Sequence, residues 1–395
     1  MRAALISIAG QPRDAAGGGP LRVAGKTLAR RQLDFALAAG CGRIVVLGDG
    51  GSPEAIALRH AAEAAGARFQ AIGSGHGLLG AVSAADELLV LAPGLLPDAT
   101  AAIALLEKGP AVLVLPAAPG VAAGFERIDL ERAWAGALVV GGGLVERLAE
   151  LPPDSEPAPA LLRIALQAGV PERRLPEALL ADGAWSMVAD EASTGPDRAW
   201  LRRNLPPARP TAPSGWLARQ VLRAFAAGLL ARGPATGVLP AAALGLLAIG
   251  VAAAAYGFAA IGFGLVAVAA VAGELALGLR RLAEAPFGSQ RRHTLAAIVP
   301  AGVDIALTAC GVAAIAHDWP HRLFPPLVLL GLLLALRPAN WSNVSAIAGD
   351  RAVLAALLAA AAAFGLAEPA IMLAALALIA LQLTQIARPA RITAV

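Results

Sequence analysis

"SIAGQPRDAAGGGPLRVAGKTL", residues 7–28, follows a short apolar run (Ala3–Ile6) and precedes an amphipathic stretch, "LARRQLDFALAAG". The order apolar run, glycine-rich loop, helix is the opening of a βαβ unit. A loop of this kind lets backbone N–H groups approach phosphate oxygens without side-chain obstruction, and Arg13 adds charge. Glycine and proline also mark plain turns, so the loop alone decides nothing. The downstream residues decide it.

The cycle repeats. "RIVVLGD", "RFQAIG", "DELLVLAP" and "AVLVLPA" are short β runs separated by helical patterns such as "PEAIALRHAAEAAG" and "DATAAIALLEKG". Strands alternating with helices predict an α/β domain with a mostly parallel sheet. Ligands on such sheets bind beyond the carboxyl ends of the strands, where residues 9–20 fall. The spacing extends this domain over residues 1–203.

Beyond it the composition changes. The chain of 395 residues is 57% hydrophobic and only 15% charged, and the excess lies after residue 215. That balance excludes an ordinary soluble protein. The net charge of +4 comes almost wholly from arginines that cluster beside apolar segments, which argues for membrane orientation and against nucleic acid. Cys41 and Cys310 lie in different halves, so no disulfide framework is implied. The N-terminus lacks the long apolar run of a signal peptide, which predicts a cytoplasmic first half.

A proline-rich linker, residues 204–215, leads to "WLARQVLRAFAAGLL" (216–230), whose apolar side chains lie opposite Arg219 and Arg223. This pattern predicts a helix in the membrane interface. Within residues 231–395, apolar segments near 235–256, 258–279, 294–316, 322–337, 351–366 and 369–387 predict an all-α domain of six spans. Arg280, Arg281, Arg291, Arg292 and His293 fall in the second loop, Arg337 and Arg351 in the fourth, and Arg388 and Arg391 in the tail. The opposite side offers mainly Arg322, so both termini are expected in the cytoplasm of a bacterial inner membrane.

The first half resembles the sugar-nucleotidyltransferase family, which runs "LAAG…KPL-x-VAGKPL" and then a helix and "IVVV". The resemblance continues through "DELLVLAPGLLPD", "GFERID", "AWAGALVV" and "AWSMVADEAS" to about residue 203. It implies a nucleotide site, CTP-like, with contacts from Gly10, Arg13, Lys26 and Asp190. It also exposes gaps. The family's metal-binding Asp corresponds to Gly94 and the lysine of its "PKP" to Gly19; a late carboxylate falls near Met187 or Ala189. Asp86, Glu87 and Asp98 are the nearby acids. Nucleotidyl transfer needs cations on the leaving pyrophosphate and carboxylates on a divalent metal. The reading without catalysis is preferred: Lys26 a turn residue, Asp190 a surface acid.

The whole layout resembles fusions of a cytidylyltransferase with a CDP-alcohol phosphatidyltransferase. In that membrane family D-x2-D-G-x2-A-R, followed by G-x3-D-x3-D, holds two metals and activates the hydroxyl that attacks the CDP-alcohol. Here Gly273 and Ala276 match, but Ala269 and Ala272 replace the paired aspartates and Leu277 the arginine. Counted from Gly288, the later aspartates become Arg292 and Ala296. Glu274 and Asp304 remain as acids in apolar segments, where they are costly and usually face a bundle interior. Asp304 lies about ten residues, or ~15 Å, inside its span. It is either part of a polar cavity for a phosphorylated headgroup or a packed acid; for Glu274 the packed reading leads.

The membrane polar site is thus expected from Gly273, Glu274, Arg280, Arg281, Arg291, Arg292 and Asp304, with no assigned metal. The resemblance implies a catalytically impaired homologue that binds membrane lipid, nucleotide or a partner enzyme, and a possible homodimer through the membrane domain. Two alternatives stay open: a transferase with relocated groups, using Mg²⁺ or Mn²⁺, and a carrier for a phosphorylated headgroup.

Overall fold

The computed structural model describes residues 1–14, 18–188, 195–205, 212–231, 235–287, 295–335 and 343–386. Asp190, Arg291, Arg292, His293, Arg337, Arg388 and Arg391 lie outside the described residues. The chain divides into two compact units. The first holds Met1–Asn204 with a short segment that begins at Glu284 and carries Phe287; the second holds Leu205–Ala283 and the helices from Leu295 on.

The strands of the first unit are β1 (Arg2–Ser7), β2 (Arg22–Val23), β3 (Lys26–Thr27), β4 (Arg43–Leu47), β5 (Arg68–Ile72), β6 (Glu87–Leu91), β7 (Leu95–Pro97), β8 (Ala111–Pro116), β9 (Arg132–Gly141), β10 (Glu172–Arg174) and β11 (Trp185–Met187). Seven form one sheet in the order β10-β8-β9-β6-β1-β4-β5. Only β9 runs against its neighbours; β4, β5 and β6 continue parallel from β1, and β10 is parallel to β8. The mostly parallel α/β expectation is met. Its strands are buried almost continuously, as parallel strands covered on both faces must be.

The helices of this unit are α1 (Leu28–Ala38), α2 (Pro53–Ala64), α3 (Thr100–Leu106), α4 (Ala117–Ala122), α5 (Gly142–Val145), α6 (Pro157–Gln167), α7 (Ala178–Ala181) and α8 (Gly195–Asn204). Thr27 caps α1 by accepting from the Arg30 N–H, and Ser52 caps α2, whose first residue is Pro53. α1 buries Leu28, Leu33 and Phe35 against the sheet, and Phe35 meets Trp185 and Phe287 edge to face. β1 sits between β4 and β6, so the loop after it opens where the connections diverge to the two sides of the sheet.

The second unit is helical: α9 (Pro213–Ala231), α10 (Ala235–Ala255), α11 (Ala259–Glu284), α12 (Leu295–Ala314), α13 (Trp319–Ala335), α14 (Asn343–Ala348), α15 (Arg351–Ala363) and α16 (Ala367–Ile386). Among the described residues four stretches, Gly237–Ala255, Ala259–Glu284, Leu295–Ala314 and Ala367–Thr384, are long and apolar enough to cross a membrane. The expectation of six is corrected to four by this measure. α13 has 17 residues and α15 has 13, which at 1.5 Å per residue gives ~25 and ~20 Å against a core of ~30 Å. Polar residues flank both: α13 carries His321 and Arg322 in its first turn and Pro325 and Pro326 within it, and α15 starts at Arg351 behind its N-cap Asp350.

Small residues let these helices close up. A Cβ on Gly262 would lie 2.7 Å from the Gly250 carbonyl, and one on Gly273 would lie 2.6 Å from a Val299 methyl. Close backbone approach of this kind is how apolar helices associate where lipid offers no hydrophobic drive. α9 buries Ala218, Leu222 and Ala226 and exposes Trp216, Leu217 and Phe225.

Candidate functional site

In the first unit, the loop after β1 folds on itself. The Asp14 N–H donates to the Gly19 carbonyl at 2.8 Å, the Gly18 N–H to the Asp14 carbonyl at 2.8 Å, and the Leu21 N–H to the Pro12 carbonyl at 3.0 Å. Arg13 pairs with Pro20 in an isolated antiparallel bridge. The amides of Asp14, Gly18 and Leu21 are therefore engaged within the loop.

Beneath the loop lies a buried amide network for which no sequence pattern is a signal. Gln11 Nε2 donates to the Ser7 carbonyl at 2.8 Å and to Gln32 Oε1 at 3.2 Å, while Gln11 Oε1 accepts from the Gly94 N–H at 3.0 Å. Gln32 Nε2 donates to the carbonyls of Ala92 and Leu95, each at 2.9 Å. Gly94 has φ +78°, and a Cβ there would stand 2.8 Å from the Val188 carbonyl oxygen. Gly10 has φ +76°, and a Cβ there would make only ordinary contact with Pro93 at 3.9 Å, so it serves the turn.

Lys26 donates to Asp34 at 2.6 Å, and Arg30 binds the same carboxylate. Burial pushes the Lys26 amine below its ordinary range, and Asp34 opposes that shift. The acids near the strand ends have partners too. Glu87 pairs with Arg2, Asp86 accepts from Ser83, and buried Asp98 meets Arg203 and Asn204. His76 Nε2 sits 3.0 and 2.9 Å from the Leu148 and Leu151 carbonyls. α8 is fastened by Asp197, which accepts from the Ala24 N–H, and by Trp200, which lies under the Arg31 guanidinium at 4.0 Å.

The second unit holds a cavity of about 580 Å³. α11 contributes Gly273, Glu274, Leu277, Gly278 and Arg281 to its wall, positions three and four apart that share one helix face. α12 contributes Asp304, α9 contributes Ser214 and Arg219, and the start of α15 contributes Asp350 and Arg351. Of the expected polar residues, Gly273, Glu274, Arg281 and Asp304 come together here. Arg280 does not line the cavity; it has an interaction of its own, as does Glu274. Ala269 and Ala272, which the sequence resemblance set against paired aspartates, do not line it either.

Asp304 is an ion-paired acid. Arg351 Nε donates to its Oδ1 at 3.1 Å, and Arg351 Nη1 donates to the Gly349 carbonyl at 3.0 Å. Asp350 is the N-cap of α15: Oδ1 accepts from the Ala352 N–H at 2.9 Å, and Oδ2 accepts from the Ser214 N–H at 2.8 Å. One buried carboxylate thus serves the N-termini of α15 and α9 together. Arg219 differs from both. Its Nε is buried and has no hydrogen-bond partner, a state that ordinarily costs ~1–3 kcal/mol.

Arg219, Asp350 and Arg351 escape a reading of the sequence for site residues because they present themselves there as other things. Arg219 reads as the polar face of an interface helix and Arg351 as a topology signal. The only local hint is "GDR", a glycine and an N-capping aspartate before an apolar run. Among the described residues no three His, Cys, Asp or Glu side chains gather as a metal site. No protein-family model matches the chain, and no curated protein matches it.

Proposed function

We propose that the chain is a catalytically reduced homologue of the cytidylyltransferase–CDP-alcohol phosphatidyltransferase fusions, acting as a membrane-bound binding or regulatory protein in lipid-headgroup metabolism. The observation that carries this reading is the membrane-unit cavity, where Asp304 and Arg351 pair beside Arg219 and Arg281. Phosphate esters are recognised by arginine forks in partly desolvated sites, and a cavity of this volume suits a headgroup. The strand order and the glycine loop support a nucleotidyltransferase-like origin for the first unit. Catalysis is the part this reading leaves out. Gly19 and Gly94 stand where the family has Lys and Asp, and the neighbouring acids are held in ion pairs.

In this reading six helices cross a bacterial inner membrane, with α13 and α15 as short crossings, both termini cytoplasmic and membrane lipid as the ligand source. Reporter fusions after Arg292 and Val395 should read cytoplasmic and one near Asp318 periplasmic; one near Asn340 should read cytoplasmic, and a periplasmic signal there rejects six crossings in favour of the four long helices alone. Purified full-length protein should release no pyrophosphate from CTP and inositol phosphate with Mg²⁺ or Mn²⁺. Metal-dependent release would replace this reading with an active transferase.

A further inference from the structure

We propose that Arg219 of α9, acting with Arg281 of α11, is the cavity's clamp for the phosphate ester of an anionic ligand, which makes the interface helix part of the binding site as well as an anchor. This clamp rests on the headgroup reading and assigns the groups that do the binding.

Each charged group on the cavity wall points to this division of labour. Arg351 is committed to Asp304 and the Gly349 carbonyl, and Asp350 accepts from the N-termini of two helices. Glu274 has an interaction of its own. Arg219 is left with a buried Nε that no acceptor reaches. A guanidinium does not deprotonate, so the site must meet that N–H with an acceptor brought from outside the protein. An oxyanion satisfies it, and a phosphate ester offers two oxygens at the spacing of the arginine fork.

Packing brings the second arginine to the same place. Leu222 sits in the notch left by Gly278, where a Cβ would come within 2.5 Å of its methyl. Arg219 lies three residues before Leu222 and Arg281 three residues after Gly278, one turn from the contact on each helix, and both face the cavity. α9 is held there at its other end by the Ser214–Asp350 hydrogen bond. Leu205, Leu277, Val299 and Val303 supply an apolar wall, so the ligand class is a phosphate ester with an aliphatic or glyceryl portion. That chemistry comes either from a lipid headgroup or from a free phosphate ester such as glycerol 3-phosphate.

The test uses the full chain in nanodiscs of phosphatidylcholine, with and without phosphatidylglycerol. Lipid adducts are read by native mass spectrometry, and glycerol 3-phosphate is titrated in the neutral discs by thermal shift. The expected result is one retained phosphatidylglycerol, or a saturable shift with glycerol 3-phosphate, and whichever arm responds names the source. Arg219→Gln should lower the affinity for the responding probe about tenfold to a hundredfold, the range for a charge-assisted contact. Arg281→Gln should act in the same direction, and Arg219→Lys should fall between.

Arg223→Gln changes an exposed arginine of the same helix that does not line the cavity, and should leave affinity unchanged. Wild-type affinity in Arg219→Gln overturns the clamp and leaves the headgroup reading in place. If Arg219→Gln does not fold, wild-type affinity in folded Arg219→Lys overturns it equally. A wild-type chain that answers to neither probe removes the headgroup reading and the clamp with it.

Discussion

Placing a carboxylate at position 94 should destabilise the first unit. Gly94 sits at φ +78°, where an L side chain costs roughly 1–2 kcal/mol, somewhat less for Asp. Its Cβ would also stand 2.8 Å from the Val188 oxygen and 3.3 Å from the Met187 sulfur. Val188 cannot easily retreat, because its N–H donates to the Gly94 carbonyl at 2.9 Å and β11 is paired with β7. Overpacking against a fixed backbone adds about 1–3 kcal/mol. Together Gly94→Asp should lose roughly 2–5 kcal/mol, which for a unit of this size lowers its melting transition by about 5–15 °C. Thermal unfolding of the full chain, followed through the buried Trp185, is the assay. Gly94→Ala carries the same Cβ and should lose at least as much. Gly10→Ala has φ +76° but meets Pro93 only at an unstrained 3.9 Å, so it should lose only the conformational part, about 1–2 kcal/mol. A Gly94→Asp chain within ~0.5 kcal/mol of wild type refutes the steric argument, since substitutions outside such features usually stay within that margin.

Three further outcomes are expected. Asp350→Ala removes an N-cap and the acceptor for Ser214, so the membrane unit should lose about 1–2 kcal/mol, with faster amide exchange at Ala352 and Ser214; unchanged exchange would detach Asp350 from both helices. Burial pushes the Cys41 thiol up to about 12, so it should resist iodoacetamide at pH 8.5 in the native chain and react after unfolding. The sign is that of an acid with a raised folded value: the folded chain keeps the proton that the unfolded thiol loses near 9, so this contribution is complete below pH 9 and declines above it. Arg31→Lys forfeits two bonds from the guanidinium to the Val23 carbonyl and the stacking on Trp200, and should cost about 1–3 kcal/mol in the melting of the first unit; no change would mean α8 is held by its other contacts alone.

The sequence carried the architecture where one physical rule dominates. Alternation of buried β runs with amphipathic helices revealed the sheet, and "WLARQVLRAFAAGLL" revealed α9, because burial alone sets those patterns. It placed α13 and α15 but not their ends: α13 runs from Trp319 with Pro325 and Pro326 inside it, and α15 stops at Ala363, because an apolar window does not register where a helix terminates. The sites were less legible for a different reason. Asp304 and Arg351 are 47 residues apart in the chain, and their pairing depends on how α12 meets the start of α15. Gln11 and Gln32 likewise become a network only when the loop closes over β7. No periodicity encodes either contact.

What separates the two candidate sites is whether their polar groups still need a partner. A phosphate site must present donors that water or ligand can reach, and each such donor is a standing cost to the empty protein. Around the β1 loop several donors already have partners: the amides of Asp14, Gly18 and Leu21 bond within the loop, Gln11 donates to Gln32, Gln32 donates to the Ala92 and Leu95 carbonyls, and Lys26 is committed to Asp34. Such a loop gains stability by folding on itself and would have to break those bonds to grip a nucleotide. In the membrane cavity two of the wall's acids neutralise an arginine and cap two helices, yet the Arg219 Nε remains buried and unanswered. Satisfying it inside the protein would take one acceptor on a wall that already carries three carboxylates, Glu274, Asp304 and Asp350. That none of them reaches it is the physical reason to look for the ligand in the cavity and not at the loop.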